Sequence, residues 1–195
     1  MRVRFLAKFT IAATLLALGL GAAHAQYMYD PDGRYLAGNP KFRSASGVSP
    51  VPRTTVSYPN KYAPGTIVVN TSERRLYLVL GEDRAIRYGI GVGRVGMTWQ
   101  GVTQVAQKRE WPDWTPPPQM RARVRGLPVH MKGGPDNPLG ARAMYLGASL
   151  YRIHGSNEPE TIGQAVSSGC FRLTNEDVIH LYDQVKVGAK VIVLR

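Results

Sequence analysis

From residue 63 to residue 195, short runs of β-branched and aromatic residues alternate with turn formers, and this spacing restricts the fold more than any other feature. Residues 66–70 (TIVVN) and 76–80 (LYLVL) are separated by a polar turn at 71–74, and 84–93 (RAIRYGIGVG) follows another turn at 81–83. Three strands in meander order are expected. Residues 101–108, 143–146, 150–154 and 190–194 supply further strands. One helix is predicted: Thr174 caps it, Glu176 and Asp177 suit the positive end of its dipole, Val178, Leu181, Tyr182 and Val185 form its apolar stripe, and Gly188 stops it. The reading is a β-rich catalytic domain over residues 63–195, long enough for one core.

Two irregular segments interrupt the strands. Residues 110–120 (EWPDWTPPPQM) are proline-dense with two tryptophans, and 132–140 (KGGPDNPLG) are a string of turn formers. Loops of this length either close over a site or let Trp111 and Trp114 cap the core.

The first 62 residues read differently. Residues 1–25 carry Arg2, Arg4 and Lys8, then the fifteen-residue apolar run 9–23, then Ala23-His24-Ala25. That is the pattern of a secretory signal cleaved after Ala25, and the run is short of the roughly 20 residues a membrane-spanning helix needs. Residues 26–62 mix Pro, Gly, Ser and Asn without periodicity and read as a flexible basic tether. Losing three cations and no acid with the signal takes the formal charge from +12 to +9. In an exported, periplasmic protein, that charge points to an anionic envelope polymer or membrane surface rather than to nucleic acid.

Export also makes the single cysteine, Cys170, conspicuous, because it has no partner for an internal disulfide. His154 lies sixteen positions before it, at the end of a predicted strand and followed by Gly155. A thiol is mostly protonated at neutral pH, and a histidine titrates in the range that lets it act as the base for such a nucleophile. Cys170 follows Ser167-Ser168-Gly169, a turn in which glycine lets the backbone approach a substrate and leaves the Gly169 and Cys170 N–H groups available to an oxyanion. Arg172 falls on the same face as Cys170 if the stretch is extended, placed to bind a carboxylate or to favour thiolate. The competing reading of Cys170 is an inert buried thiol, and that of His154 alone a structural histidine. Zinc is a weak competitor, since His130, His154, His180 and Cys170 lack ligand spacing.

Together, Ile153-His154-Gly155-Ser156-Asn157, Ile162-Gly163 and Ser167-Ser168-Gly169-Cys170-Phe171-Arg172-Leu173 resemble the active-site signature of L,D-transpeptidases with a YkuD-type catalytic domain. The resemblance covers residues 63–195 and implies a mainly β, sandwich-like fold of mixed sheets with a few short helices. It implies Cys170 as nucleophile, His154 as base oriented by the Gly155 carbonyl, Gly169 and Cys170 amides at the oxyanion, and Ser168, Arg172 and Asn157 at the substrate. The family usually carries a second histidine just before the glycine, where this chain has Ser168. The implied chemistry is acyl transfer on peptidoglycan tetrapeptide stems through a thioester at the third residue, with release of D-alanine. The acceptor would be a second stem, an envelope protein amine or water, and the implied chemistry needs no metal or organic cofactor.

Rival readings are a papain-like hydrolase, a sortase and a wall-binding module. In the first the cysteine precedes the histidine, and in the second the two lie much further apart. A binding module has no use for a thiolate.

Overall fold

The structure, a computed structural model, describes residues 49–59 and 61–195. The predicted signal segment therefore lies outside the described residues, as does the tether as far as residue 48. The rest of the tether reading needs correction, because Thr54–Ser57 (β1) is a strand, antiparallel to Arg84–Gly89 (β4). TTVS is β-branched enough to take up a free sheet edge, but four residues among prolines are too few to show periodicity.

The meander forms as Ile67–Asn70 (β2), Arg75–Gly81 (β3) and β4, with Val92–Gly93 (β5) separate. The predicted strand over 84–93 thus breaks after Gly89, where the chain leaves β3 and pairs instead with Ala165–Ser167 (β9). The β3–β4 hairpin turns on Glu82 and Asp83, both with φ near +50°, the sense of turn that matches strand twist.

Among the described residues, Gly101–Glu110 (β6) joins the two halves of a nine-stranded sheet. Its residues 101–104 pair with Lys190–Leu194 (β11), and after an irregularity at Val105–Gln107 it continues along Arg142–Leu146 (β7). β11 lies parallel to β2 and antiparallel to β6, so the sheet is mixed. Beyond β7 come Arg152–His154 (β8) and Phe171–Arg172 (β10), parallel to each other. Ile67, Leu76 and Tyr88 from one half share a core with Met144, Leu146, Ile153 and Phe171 from the other. That common core makes the folded sheet sandwich-like.

The predicted helix is Asn175–Gln184 (α2), and the Thr174 hydroxyl accepts the Asp177 N–H at 3.2 Å. It ends at Gln184 rather than at Gly188. Val185 is extended but still buried with Val178 and Leu181, so the apolar stripe outlasts the helix. Asp177 is also bonded by Arg53 at 2.8 Å, tying the segment before β1 to the helix.

Candidate active site

β8 and β10 place the two residues that the sequence singled out. Their parallel register sets Phe171 beside Ile153 and Arg172 beside His154. Phe171 and Ile153 both enter the core, so strand alternation sends Cys170, Arg172, Arg152 and His154 to the opposite face. There a cavity of about 410 Å³ opens, lined by Cys170, His154, Arg152, Arg172, Ser168 and Ser167 at one end.

The other wall comes from the two irregular segments. Trp114, Pro117, Met120 and Leu139 line the cavity, with Pro118–Arg123 forming a short helix (α1). Trp114, Met120 and Leu139 make a small core of their own, whereas Trp111 is largely exposed. The tryptophan loop is therefore a wall of the site. No periodic pattern in PQMRAR announced α1.

His154 is buried, and its Nδ1 stands 2.6 Å from the Gly155 carbonyl oxygen. A carbonyl only accepts, so Nδ1 carries the hydrogen of the neutral ring and Nε2 keeps a lone pair. Burial, then the Arg172 charge and more weakly that of Arg152, push the imidazole down to about 3, against the raising effect of the Gly155 bond. Gly155 has no room for a side chain, because a Cβ would run into the Asn175 amide oxygen.

The Cys170 sulfur lies 3.8 Å from the Leu150 carbonyl. Burial raises the thiol above its ordinary range, opposed by the Arg152 guanidinium and backbone N–H and by Arg172. Burial thus favours the uncharged form of each group, thiol and neutral imidazole.

Gly169 holds φ +114°, and a Cβ there would sit 2.5 Å from the Tyr151 ring and 3.0 Å from the Met97 carbonyl oxygen. Trp99 fixes this turn. It stacks on Tyr151 at 4.8 Å and donates from Nε1 to the Gly169 carbonyl at 3.1 Å. The Ser167 hydroxyl bridges the same turn, accepting the Gly169 N–H at 3.1 Å and donating to the Cys170 carbonyl at 2.6 Å. The Gly169 N–H is thus already engaged here, contrary to the expectation that it stands available.

The remaining expected residues separate. The Ser168 hydroxyl is at the cavity, buried and without a hydrogen-bond partner. Arg172 also lines it, but its Nη1 meets Glu158 Oε2 at 3.2 Å with both side chains about 1% exposed. Asn157 is not among the lining residues; its amide donates to the Asp136 carbonyl at 3.0 Å and braces the 132–140 loop. Residue types alone do not reveal Trp99, Glu158 or Arg152. The one available signal was Arg152 lying two residues before His154 in an alternating strand. Among the described residues no cluster of His, Cys, Asp and Glu is arranged to hold a metal ion.

A family model for the YkuD L,D-transpeptidase catalytic domain matches residues 64–193. The chain belongs to this family. Its L,D-transpeptidase domain is 42% identical over 137 residues to the "Probable L,D-transpeptidase ErfK/SrfK" of Escherichia coli K12, a match covering 66% of this chain and 43% of that protein. It is equally similar, over 134 residues, to the "Probable L,D-transpeptidase YbiS" of the same organism, covering 64% and 43%. The match thus spans less than half the length of these curated relatives. Among solved structures, an L,D-transpeptidase from Mycobacterium smegmatis superposes with a TM-score of 0.53 at 19% identity, over 70% of this chain and 61% of that one, a likeness of fold. The L,D-transpeptidase domain thus has the mixed-sheet, mainly β architecture that its motif implied.

Proposed function

We propose that the chain is a cysteine-dependent acyltransferase acting on peptidoglycan tetrapeptide stems. The observation that carries this reading is the placement of Cys170 and His154 on one face of two paired strands, with His154 Nδ1 held by Gly155. Nε2 is then the ring atom able to take the thiol proton. In this reading the pair starts uncharged and proton transfer accompanies attack: the Cys170 sulfur adds to the third-residue carbonyl as Nε2 receives its proton. The terminal D-alanine leaves with that proton, and a thioester remains. An amine then attacks the thioester, giving a crosslink or an attached protein, or water does, giving trimming.

In this reading the Cys170 N–H serves the oxyanion directly. The Gly169 N–H joins it only if substrate displaces the Ser167 hydroxyl. The Ser168 hydroxyl, unpartnered at the cavity, supplies a further bond to the stem. Residues 1–25 as an export signal, and a periplasmic location, belong to the same proposal. Among the described residues no helix is long and apolar enough to cross a membrane.

Intact-protein mass spectrometry after incubation with a disaccharide tetrapeptide tests the reading. The expected result is an adduct on Cys170 equal to the stem without its last D-alanine, discharged by an added amine. Absence of any adduct, with wall binding retained, would favour the binding-module reading instead.

A further inference from the structure

We propose that Arg152 is the carboxylate-binding residue of the cavity, holding a carboxylate of the donor stem beside the Cys170 sulfur. The proposal rests on the stem-peptide reading above and assigns its charge recognition to a residue outside the motif.

Two arginines line the cavity, and they differ in what already compensates them. Arg172 is sealed against Glu158, so its charge is balanced inside the protein. Arg152 has no carboxylate partner among the described residues. Its Nη1 donates to the neutral Leu150 carbonyl at 3.0 Å, and its Nε is buried with no hydrogen-bond partner. A guanidinium has five N–H donors and accepts nothing; the Leu150 carbonyl and the Cys170 side chain use some of them, and those facing the cavity are open to an incoming acceptor. A partly buried cation without a counter-ion gains most from an anion that brings two oxygens in one plane.

The guanidinium is also placed for this task. One residue before the Phe171–Ile153 pair of β10 and β8, Arg152 and Cys170 come near enough for the guanidinium to act on the thiol. The Leu150 carbonyl lies 3.0 Å from Arg152 Nη1 and 3.8 Å from the Cys170 sulfur, which puts nitrogen and sulfur within about 7 Å of each other. The Tyr145 ring lies 5.0 Å from the guanidinium carbon and supports it from one side. A carboxylate held there belongs to a group attached close to the reacting carbonyl. The stem offers two such groups, the side-chain carboxylate of an acidic third residue and the terminal carboxylate of the fourth.

The test uses three disaccharide tetrapeptides: one with all carboxylates free, one amidated at the third-residue side chain and one amidated at the C-terminus. Affinity is measured by calorimetry with Cys170→Ala protein, alone and combined with Arg152→Gln or Arg152→Lys, and acylation is followed by mass spectrometry with Cys170 intact. The expected result is that amidating one of the two carboxylates weakens binding roughly tenfold to a hundredfold. Arg152→Gln should show the same loss with the free stem and no further loss on amidation. Arg152→Lys should recover part of it, since lysine keeps the charge without the fork. Whichever amide abolishes the difference identifies the carboxylate. An amidation penalty that persists undiminished in Arg152→Gln overturns the anchor while leaving the acyl-transfer reading intact. Carboxylate binding that depends on Arg152 without any acylation of Cys170 overturns acyl transfer and leaves the anchor standing.

Discussion

Arg172 and Glu158 form an ion pair at 3.2 Å in which neither side chain is more than about 1% exposed, and Arg172 is the cross-strand partner of His154. The motif arginine thus lines the cavity with its charge already paired inside the protein rather than held out to solvent. Removing one charge strands the other in a low-dielectric setting. Glu158→Gln is expected to destabilise the fold by about 3–5 kcal/mol, as breaking buried pairs does. Replacing both with apolar residues of similar volume should cost less, and urea unfolding of the single and double variants decides it. Equal losses for the two would show that the charge pair is not the cause.

Gly169→Ala places a methyl group against the Tyr151 ring and the Met97 carbonyl at a φ of +114°. The ring is stacked on Trp99 and not free to swing aside, so the turn itself must shift. A loss of about 1–3 kcal/mol is expected, with a fall in acylation larger than stability explains, because the strain falls on the residue before Cys170, the proposed nucleophile. Thermal melts and Cys170 adduct rates measured side by side separate the two effects.

His154→Ala should slow thioester formation by about 10²- to 10⁴-fold while leaving stem affinity near that of the parent protein. Cys170→Ala should form no adduct at all. Adduct formation at an undiminished rate in His154→Ala would remove the base from the proposed mechanism.

The depressed His154 value has a consequence for stability. The unfolded histidine takes up a proton below about pH 6.5, whereas the folded one resists until about 3. Stability from this group is complete above pH 6.5 and declines as pH falls through that window, by at most about 1.4 kcal/mol per unit. His154→Gln should flatten that part of the profile in denaturant titrations across pH 4–7. The thiol behaves oppositely, since burial raises it. Alkylation by iodoacetamide should be slow at neutral pH and accelerate only in the alkaline range.

Arg53→Ala removes the cation that bonds Asp177 at 2.8 Å in the first turn of α2. Burial already raises the Asp177 carboxyl, and Arg53 is the main influence opposing it. The variant should lose about 1–3 kcal/mol, read by thermal melts above pH 6. Melts unchanged by the substitution would show that the segment before β1 contributes nothing to the domain.

The strands that carry their own β-branched runs, the helix with its Thr174 cap, and the motif holding His154 and Cys170 are legible in the residues alone. Those features are local: alternation, capping and turn chemistry depend on neighbours a few residues away. The rest depends on packing between residues brought together from afar. That packing gave β1 its place, since TTVS needs the open edge of β4, and it made the proline-rich loop and α1 a wall of the cavity. It committed the Gly169 N–H to Ser167, withdrew Arg172 by pairing it with Glu158, and left Arg152 as the cavity arginine with no carboxylate partner among the described residues. A side chain's residue type says what it can bind. Only the packing around it says which of those bonds have already been made.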